Sequence, residues 1–200
     1  MKKIFPPAMA ALIEELTRMP GIGPRSAERI TFHILQSSPH DVLRLIDAIQ
    51  KVKEIVKFCK ICNNLSENDF CSICMDTGRD RSKICVVRDP GAVSTIEKSG
   101  IFHGVYHVLL GELSPIDGLG PNDIKIKELV ARVKKGTVSE IIIATDFTTE
   151  GETTALYLFE LLKQFKIIIS RLARGVPAGG MLEYVDIATL QRAFDDRRNV

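Results

Sequence analysis

Four cysteines in two closely spaced pairs constrain this chain more than any other feature. Two residues separate the cysteines within each pair and eight separate the pairs, which are formed by Cys59, Cys62, Cys71 and Cys74. Two such knuckles bring four thiolates within reach of one tetrahedral Zn²⁺, with Zn–S bonds of about 2.3 Å. Four small buried apolar residues are the alternative, but paired knuckles rarely arise in that way. Because all four ligands are sulfur, the site is closed, and we predict one structural zinc without a catalytic role.

Composition fits an ordinary globular chain and excludes several protein classes. The 200 residues are 45% hydrophobic and 26% charged, and the net charge is only +2. This balance excludes a bulk polycation, but it allows a nucleic-acid binder whose basic residues lie on one face. No apolar run approaches the roughly 20 residues of a membrane helix. The start of the chain lacks a signal peptide, so we expect a cytoplasmic protein.

The cysteine count agrees with that compartment. Five cysteines in a chain without a secretory signal argue against a disulfide framework. The fifth, Cys85, lies within an apolar strand pattern, and we expect it in the core and not among the metal ligands.

The first 58 residues are predicted to be helical, and a glycine-rich turn interrupts them. Between Pro20 and Pro24 the turn contains Gly21 and Gly23, which allow a tight bend and expose backbone N–H groups. The helix that follows directs its positive N-terminus outward, which is a phosphate-binding arrangement. Arg25 and Arg29, four residues apart, lie on one face of that helix. A plain helix–turn–helix connection is the alternative to DNA binding.

Two further features belong to this helical region. Lys2 and Lys3 are secondary candidates for DNA contact, because a basic terminus near the hairpin could reach the backbone; solubility is their alternative role. A third helix carries an apolar stripe with the i, i+3, i+4, i+7 spacing, which we expect to face inward. The stripe is formed by Val42, Leu45, Ile46, Ile49, Val52, Ile55 and Val56.

After Ser82 the hydrophobic period changes to alternating strands and helices. Such alternation predicts a parallel sheet with helices on both faces. The strands are predicted at Ile84–Val87, Val105–Leu110, Glu140–Thr145 and Ile167–Leu172. Helices are predicted between them, from Pro90 to Lys98, Ile124 to Lys134 and Glu150 to Phe165. The four histidines follow no recognisable ligand or triad spacing, and we assign them no role.

Acidic residues follow the third predicted strand. Asp146, Glu150 and Glu152 stand at its carboxyl end, where open parallel sheets bind ligands. Clustered carboxylates there would suit Mg²⁺. Helix N-termini are also enriched in Glu and Thr for dipole and capping reasons, so both interpretations stay open.

Taken in order, these segments resemble the RecR family of bacterial recombination mediators. The resemblance spans essentially the whole chain and rests on Met19–Ala27, the four paired cysteines, Gly118–Pro121, Ala144–Asp146, Thr149–Glu152 and Arg174–Pro177. It implies an α+β multidomain fold. The implied parts are a helix-hairpin-helix domain (1–56), a zinc finger (57–78), a Toprim α/β domain (79–172) and a C-terminal strand and helix segment for oligomerisation (173–200).

The resemblance also implies a function. Members of the family form ring-shaped tetramers and act with the partners RecO and RecF to load the recombinase RecA onto gapped single-stranded DNA. A cytoplasmic, nucleoid-associated and non-catalytic DNA-binding protein is therefore expected. Asp146, Glu150 and Glu152 are expected to attract a basic partner surface, which by resemblance belongs to RecO.

The chain departs from the Toprim pattern at two positions. Arg88 stands where the first Toprim strand ends in glutamate, and Thr148 stands where catalytic members place a second aspartate. We expect Arg88 to neutralise part of the acidic patch. The alternative function is a Mg²⁺-dependent nuclease or primase-like enzyme that uses Asp146 and Glu150, but two-metal chemistry needs several carboxylates, and Arg88 places a cation among them. A purely structural zinc module would leave the glycine hairpin unexplained.

Overall fold

The chain divides into two compact units, Met1–Val56 and Lys57–Val200. The structure is a computed structural model, and it describes residues 5–173, 175–176, 179–195 and 197. Lys2 and Lys3 lie outside the described residues. Within the described part of the chain, no helix combines the length and apolar character that crossing a membrane requires.

The first unit contains the three predicted helices. They are α1 (Pro7–Thr17), α2 (Pro24–Gln36) and α3 (Pro39–Ile55). Each begins with proline at its first position, where a missing N–H costs nothing. The side chain of Ser38 also caps α3 by accepting a hydrogen bond from the backbone N–H of Asp41 at 3.1 Å. Proline and capping residues therefore set the helix boundaries.

The expectation that the apolar stripe of α3 faces inward is wrong for the single chain. Five of its members are between 43% and 60% exposed, namely Leu45, Ile46, Ile49, Val52 and Ile55. Helix α3 has no buried residue, whereas α2 buries Ala27 and Thr31 and packs against α1. A small helical unit has little interior, and here α1 and α2 pack together without burying the third apolar stripe.

The second unit begins with a small module that contains the paired cysteines. Strands β1 (Lys57–Phe58) and β2 (Leu65–Ser66) pair antiparallel, and the short helix α4 (Ser72–Met75) follows. The remaining elements are β3 (Asp80–Val87), α5 (Pro90–Ser99), β4 (Gly104–Val108), α6 (Ile126–Val133), β5 (Glu140–Ile143), α7 (Thr149–Leu162), β6 (Ile168–Arg171), a 3₁₀ turn (Leu182–Tyr184) and α8 (Ile187–Asp195).

The larger sheet is parallel, as predicted, with the strand order β4-β3-β5-β6. Alternate side chains of β3 enter cores on opposite faces. Ile84 and Val86 pack with residues of α6 and α7, while Cys85 and Val87 pack with Val93 of α5. The predicted core position of Cys85 is thereby confirmed, and the predicted class of parallel α/β sheet beside a helical region and a cysteine module is confirmed as well.

Strand β3 starts earlier than predicted. Asp80, Arg81 and Ser82 belong to the strand, which was predicted to begin at Ile84. Their backbone groups pair with neighbours: Asp80 N–H donates to His103 O at 2.9 Å, and Ser82 O accepts from Ser139 N–H at 2.8 Å. Backbone pairing depends on the N–H and C=O groups of the neighbouring segments and not on apolar side chains, which explains the difference.

A partly buried ion pair ties α5 to the sheet. Arg79 donates to both carboxylate oxygens of Glu97, and Tyr106 Oη donates to Glu97 Oε1 at 2.7 Å. The hydrogen bond from Arg79 is the main reason that the pKa of Glu97 lies below its ordinary value of 4.5. The stability that this pair contributes is therefore present above pH 4.5 and is lost as the pH falls through the lower pKa of the folded chain.

We expect Glu97→Gln to lower the free energy of unfolding near neutral pH by roughly 1–3 kcal/mol, because it removes charge-assisted hydrogen bonds. Below pH 4.5 the difference from the parent chain should shrink. Urea unfolding at pH 7 and at several acidic pH values measures both effects. Glu160→Gln, which alters an exposed pair with Lys163, is the control. A destabilisation that does not change with pH would contradict this assignment.

Candidate functional site

The four paired cysteines converge on one point. Their Sγ atoms all lie within 4.8 Å of one another and are buried, and Cys62 Sγ lies 3.5 Å from Cys71 Sγ. Cys59 and Cys62 lie in the turn between β1 and β2, and Asn63, which follows Cys62, adopts a positive φ of 59°. Cys71 and Cys74 stand at the start and in the body of α4. The backbone turns thus bring two knuckles that are distant in sequence together.

The chemistry of this cluster fits a divalent metal. All four thiols are free cysteines, although they are close together and buried. Hydrogen bonding with Cys71 and Cys74, together with burial, raises the pKa of Cys62 far above its ordinary value. A bound Zn²⁺ would remove this penalty by stabilising four thiolates, and the donor set, all sulfur, leaves no position for a catalytic water.

The glycine hairpin between α1 and α2 is open to a ligand. Gly21 has φ +79°, a conformation that glycine adopts without strain, and Gly23 is the N-cap of α2. Apart from each glycine and its two chain neighbours, no described atom lies within 4 Å of the position that a Cβ would take at either glycine. The backbone of the turn is therefore accessible at the positive end of a helix.

The two predicted arginines lie beside this turn. Arg25 and Arg29 are exposed residues in the first two turns of α2, and the first turn contains no acidic residue. Within residues 5–56 neither guanidinium forms an ion pair with a carboxylate. Their charge is consequently free to bind a phosphate.

At the carboxyl edge of the sheet, the neighbouring positions of β3 and β5 place Arg88 beside Asp146. Arg88 Nη1 lies 2.6 Å from Asp146 Oδ2, and Arg88 Nη2 lies 2.8 Å from Asp89 Oδ2. The parallel register explains this proximity, because Val86 pairs with Ile143. The guanidinium therefore neutralises the carboxylate that sequence reasoning assigned to a possible metal.

The other two predicted acidic residues differ from each other. Glu152 forms two hydrogen bonds with Arg171, at 2.6 and 2.9 Å, and Arg171 also lies 5.2 Å from the ring centroid of Phe147. Glu150, in the first turn of α7, is half-buried, and no ion pair joins it to a described cation. Of the three, Glu150 has the least compensated charge.

Sequence reasoning missed Glu112. Its side chain accepts a hydrogen bond from the backbone N–H of Asp146 at 3.2 Å, and the residue is only 9% exposed. Burial raises the pKa of Glu112, and the nearby charges of Asp146 and Glu150 raise it further. Its position shortly after the second predicted strand was the available signal, because the carboxyl ends of parallel strands meet at one edge.

Crowding fixes the geometry of this edge. A Cβ at Gly151 would lie 2.1 Å from the carbonyl oxygen of Asp146 and 2.9 Å from Glu112 Oε1, so only glycine fits there. Thr148 caps α7 by accepting from Gly151 N–H. Among the described histidines, cysteines and acidic residues, only the four cysteines bring three or more potential metal ligands together.

Comparison with known protein families accounts for almost every segment. Residues 9–53 match the RecR helix-hairpin-helix, 56–76 the RecR four-cysteine zinc finger domain, 82–173 the Toprim domain and 175–198 the RecR C-terminal segment. The zinc finger match and the buried cluster of four sulfurs together confirm the prediction of one structural zinc.

Curated relatives match over nearly the full chain. The recombination protein RecR of Streptomyces coelicolor is 54% identical over 187 residues, which are 94% of each chain. That of Leifsonia xyli is also 54% identical, over 189 residues that cover 94% of this chain and 96% of the relative. That of Thermobifida fusca is 52% identical over 191 residues, 96% of each. At this identity and coverage, the chain belongs to the RecR family of recombination proteins.

Proposed function

We propose that this chain is a non-catalytic DNA-binding mediator of recombinational repair that acts with RecO and RecF to help load RecA on gapped or single-stranded DNA. The observation that carries the proposal is the hairpin between α1 and α2, with an open backbone at Gly21 and Gly23 and with two arginines, Arg25 and Arg29, that form no ion pair within residues 5–56. Backbone N–H groups and guanidinium groups bind phosphates without reading bases, which suits a protein that must act at any sequence.

The acidic edge of the sheet favours this function over the alternative of a Mg²⁺-dependent nuclease or primase-like enzyme. Two-metal phosphoryl transfer needs carboxylates free to hold cations. Asp146 is instead bound by Arg88, and Glu152 is bound by Arg171. These two ion pairs reduce the negative charge available to a metal.

We expect Arg25→Ala and Arg29→Ala each to raise the dissociation constant for DNA about tenfold at physiological salt, equally for unrelated sequences. Each should also reduce the slope of log K against log salt by about 1, because one phosphate contact is lost. Fluorescence anisotropy with labelled single-stranded DNA over a salt series measures both quantities.

Arg18→Ala is the matched control for the two arginine variants. It removes a guanidinium from the same helical unit, but one that Glu14 and Glu15 already neutralise. Its DNA affinity should stay close to that of the parent. Parent-like binding by both Arg25→Ala and Arg29→Ala would place the DNA site elsewhere.

The proposed ring is supported by the exposed stripe of α3. Leu45, Ile46, Ile49, Val52 and Ile55 form an apolar face on a helix that buries no residue within the chain. Contiguous exposed apolar surface is typical of an interface between proteins. In a closed homotetramer, a second copy of the chain would cover this stripe.

Ile49→Glu should shift the molar mass in solution from a tetramer towards smaller species, because it places a carboxylate in the centre of the stripe. Light scattering after size exclusion measures the mass. Lys51→Gln, which makes the same change in net charge on the other side of α3, should leave the mass unchanged. A 22.2 kDa mass for the parent chain itself would refute the ring.

The acidic edge is the proposed docking surface for a basic partner, which the resemblance identifies as RecO. Asp146, Glu150 and Glu152 are the proposed contacts, with Arg88 as a residue that weakens the attraction. The ion pairs of Asp146 and Glu152 make Glu150 the strongest of the three for this role.

Glu150→Ala should weaken binding of RecO about threefold or more at low salt, because it removes negative charge that attracts a basic surface, and Arg88→Glu should strengthen binding. Both changes should lie mainly in the association rate, which charge at an interface controls. Biolayer interferometry with immobilised RecO measures the rates. Glu160→Ala, on the exposed side of α7, is the control. Neither Glu150→Ala nor Arg88→Glu should cleave DNA in the presence of Mg²⁺. Cleavage that Asp146→Ala abolishes would instead support the nuclease or primase-like function.

A further inference from the structure

A cavity of about 220 Å³ lies between the cysteine module and the amino-terminal edge of the larger sheet. Cys74 and Ile61 line it from the module, and three cations, Arg81, Arg132 and Lys135, line it from the other side. None of its lining residues is acidic. Solvent screens Arg81 and Lys135, which are exposed, so Arg132 is the cation of the three that most needs another source of negative charge.

Arg132 is the most constrained of these cations. Its Nη1 donates to the carbonyl oxygen of Tyr106 at 2.6 Å and lies 3.3 Å from Nδ1 of His107. Burial lowers the pKa of His107 to about 4, so this imidazole is neutral at physiological pH. Glu128, one turn earlier on α6, pairs with Lys125 at 3.4 Å and forms no ion pair with Arg132. Among the described carboxylates, therefore, no partner balances Arg132.

The cysteine cluster can supply the missing charge. Four thiolates around one Zn²⁺ carry a net charge of −2, and a buried charge is costly unless it is compensated. Burial lowers the pKa of Arg132, whereas the Coulombic effect of the four sulfurs, that of Cys74 first, raises it. Because Cys74 and Arg132 also line one cavity, the sulfurs and the guanidinium lie within electrostatic range of each other.

Hydrogen bonds join the two parts at the same place. Cys62 O accepts from Val108 N–H at 2.7 Å, at the end of the strand whose Tyr106 holds Arg132. Arg81 Nη2 donates to Cys74 O at 2.8 Å. Movement of the cysteine module would thus disturb β3 and β4, and loss of the metal would leave Arg132 without a counter-charge.

We propose that Arg132, assisted by Arg81, is the positive counter-charge of the zinc–thiolate centre, and that this pairing couples zinc affinity to the stability of the sheet. Arg132 acts as a positioning residue and does not ligate the metal. By linkage, the factor by which the guanidinium strengthens zinc binding equals the factor by which bound zinc increases the guanidinium's own contribution to the stability of the folded chain.

Two substitutions separate charge from hydrogen bonding. Arg132→Lys keeps the charge, whereas Arg132→Gln keeps a donor for Tyr106 O and loses the charge. We expect Arg132→Gln to weaken zinc binding by about 10- to 100-fold, the range seen when outer-shell partners are removed, and Arg132→Lys to retain most of the affinity. Competition of the full-length chain with a chromophoric chelator for zinc measures the affinity.

A matched control and a second readout complete the test. Lys135→Gln removes an exposed cation from the same cavity and should change zinc affinity little. Thermal unfolding should show a larger loss of stability for Arg132→Gln with zinc bound than after a chelator has removed the zinc. Only the zinc-bound state holds the zinc–thiolate centre with its net charge of −2. If Arg132→Gln does not fold, the exposed Arg81→Gln should still weaken zinc binding several-fold.

Equal zinc affinities for Arg132→Gln and Arg132→Lys would overturn the proposal, because hydrogen bonding and not charge would then be the contribution. So would a destabilisation by Arg132→Gln that is the same with and without zinc. If Arg132→Gln does not fold, a zinc affinity of Arg81→Gln equal to that of the parent chain would also count against the proposal. DNA affinity enters none of these measurements, so the outcome is independent of the proposed function.

Discussion

The position of β3 between β4 and β5 is the constraint on which most of this structure depends. Because the three strands are parallel, one end of β3 carries Arg88 to Asp146, while the other end carries Arg81 to the carbonyl oxygen of Cys74. One central strand thus connects the acidic edge to the cysteine module. Its alternating side chains fill the cores on both faces, so its register cannot shift without exposing one of them.

The sequence predicted this architecture well because its signals are local. The spacing of the cysteines specifies a zinc site, the proline and glycine residues around Gly21 specify the hairpin, and the change of period after Ser82 specifies parallel strands. Each of these patterns depends on residues close together along the chain. Ion pairs between distant residues, such as that of Glu152 with Arg171, have no such signal and required the structure.

The error over α3 has a different physical origin. Helical periodicity shows that one face of a helix is apolar, but it does not show whether that face is buried in the same chain or against another one. Ile49 and Val52 satisfy the pattern and are still exposed at 55% and 60%. The exposure of this amphipathic helix is the observation on which the proposed oligomer interface rests.

The two edges of the sheet hold different acidic groups, carboxylates at the carboxyl edge and the cysteine cluster at the amino edge. At the carboxyl edge, Glu112, Asp146 and Glu150 lie close together, and Arg88 offsets part of their repulsion. At the amino edge, Arg81 and Arg132 face a cysteine cluster that carries net negative charge once zinc is bound. In both places an arginine lies beside acidic or anionic groups in partly buried surroundings and offsets part of their charge. A change of charge at either edge therefore alters the electrostatic balance of that edge as well as its local geometry.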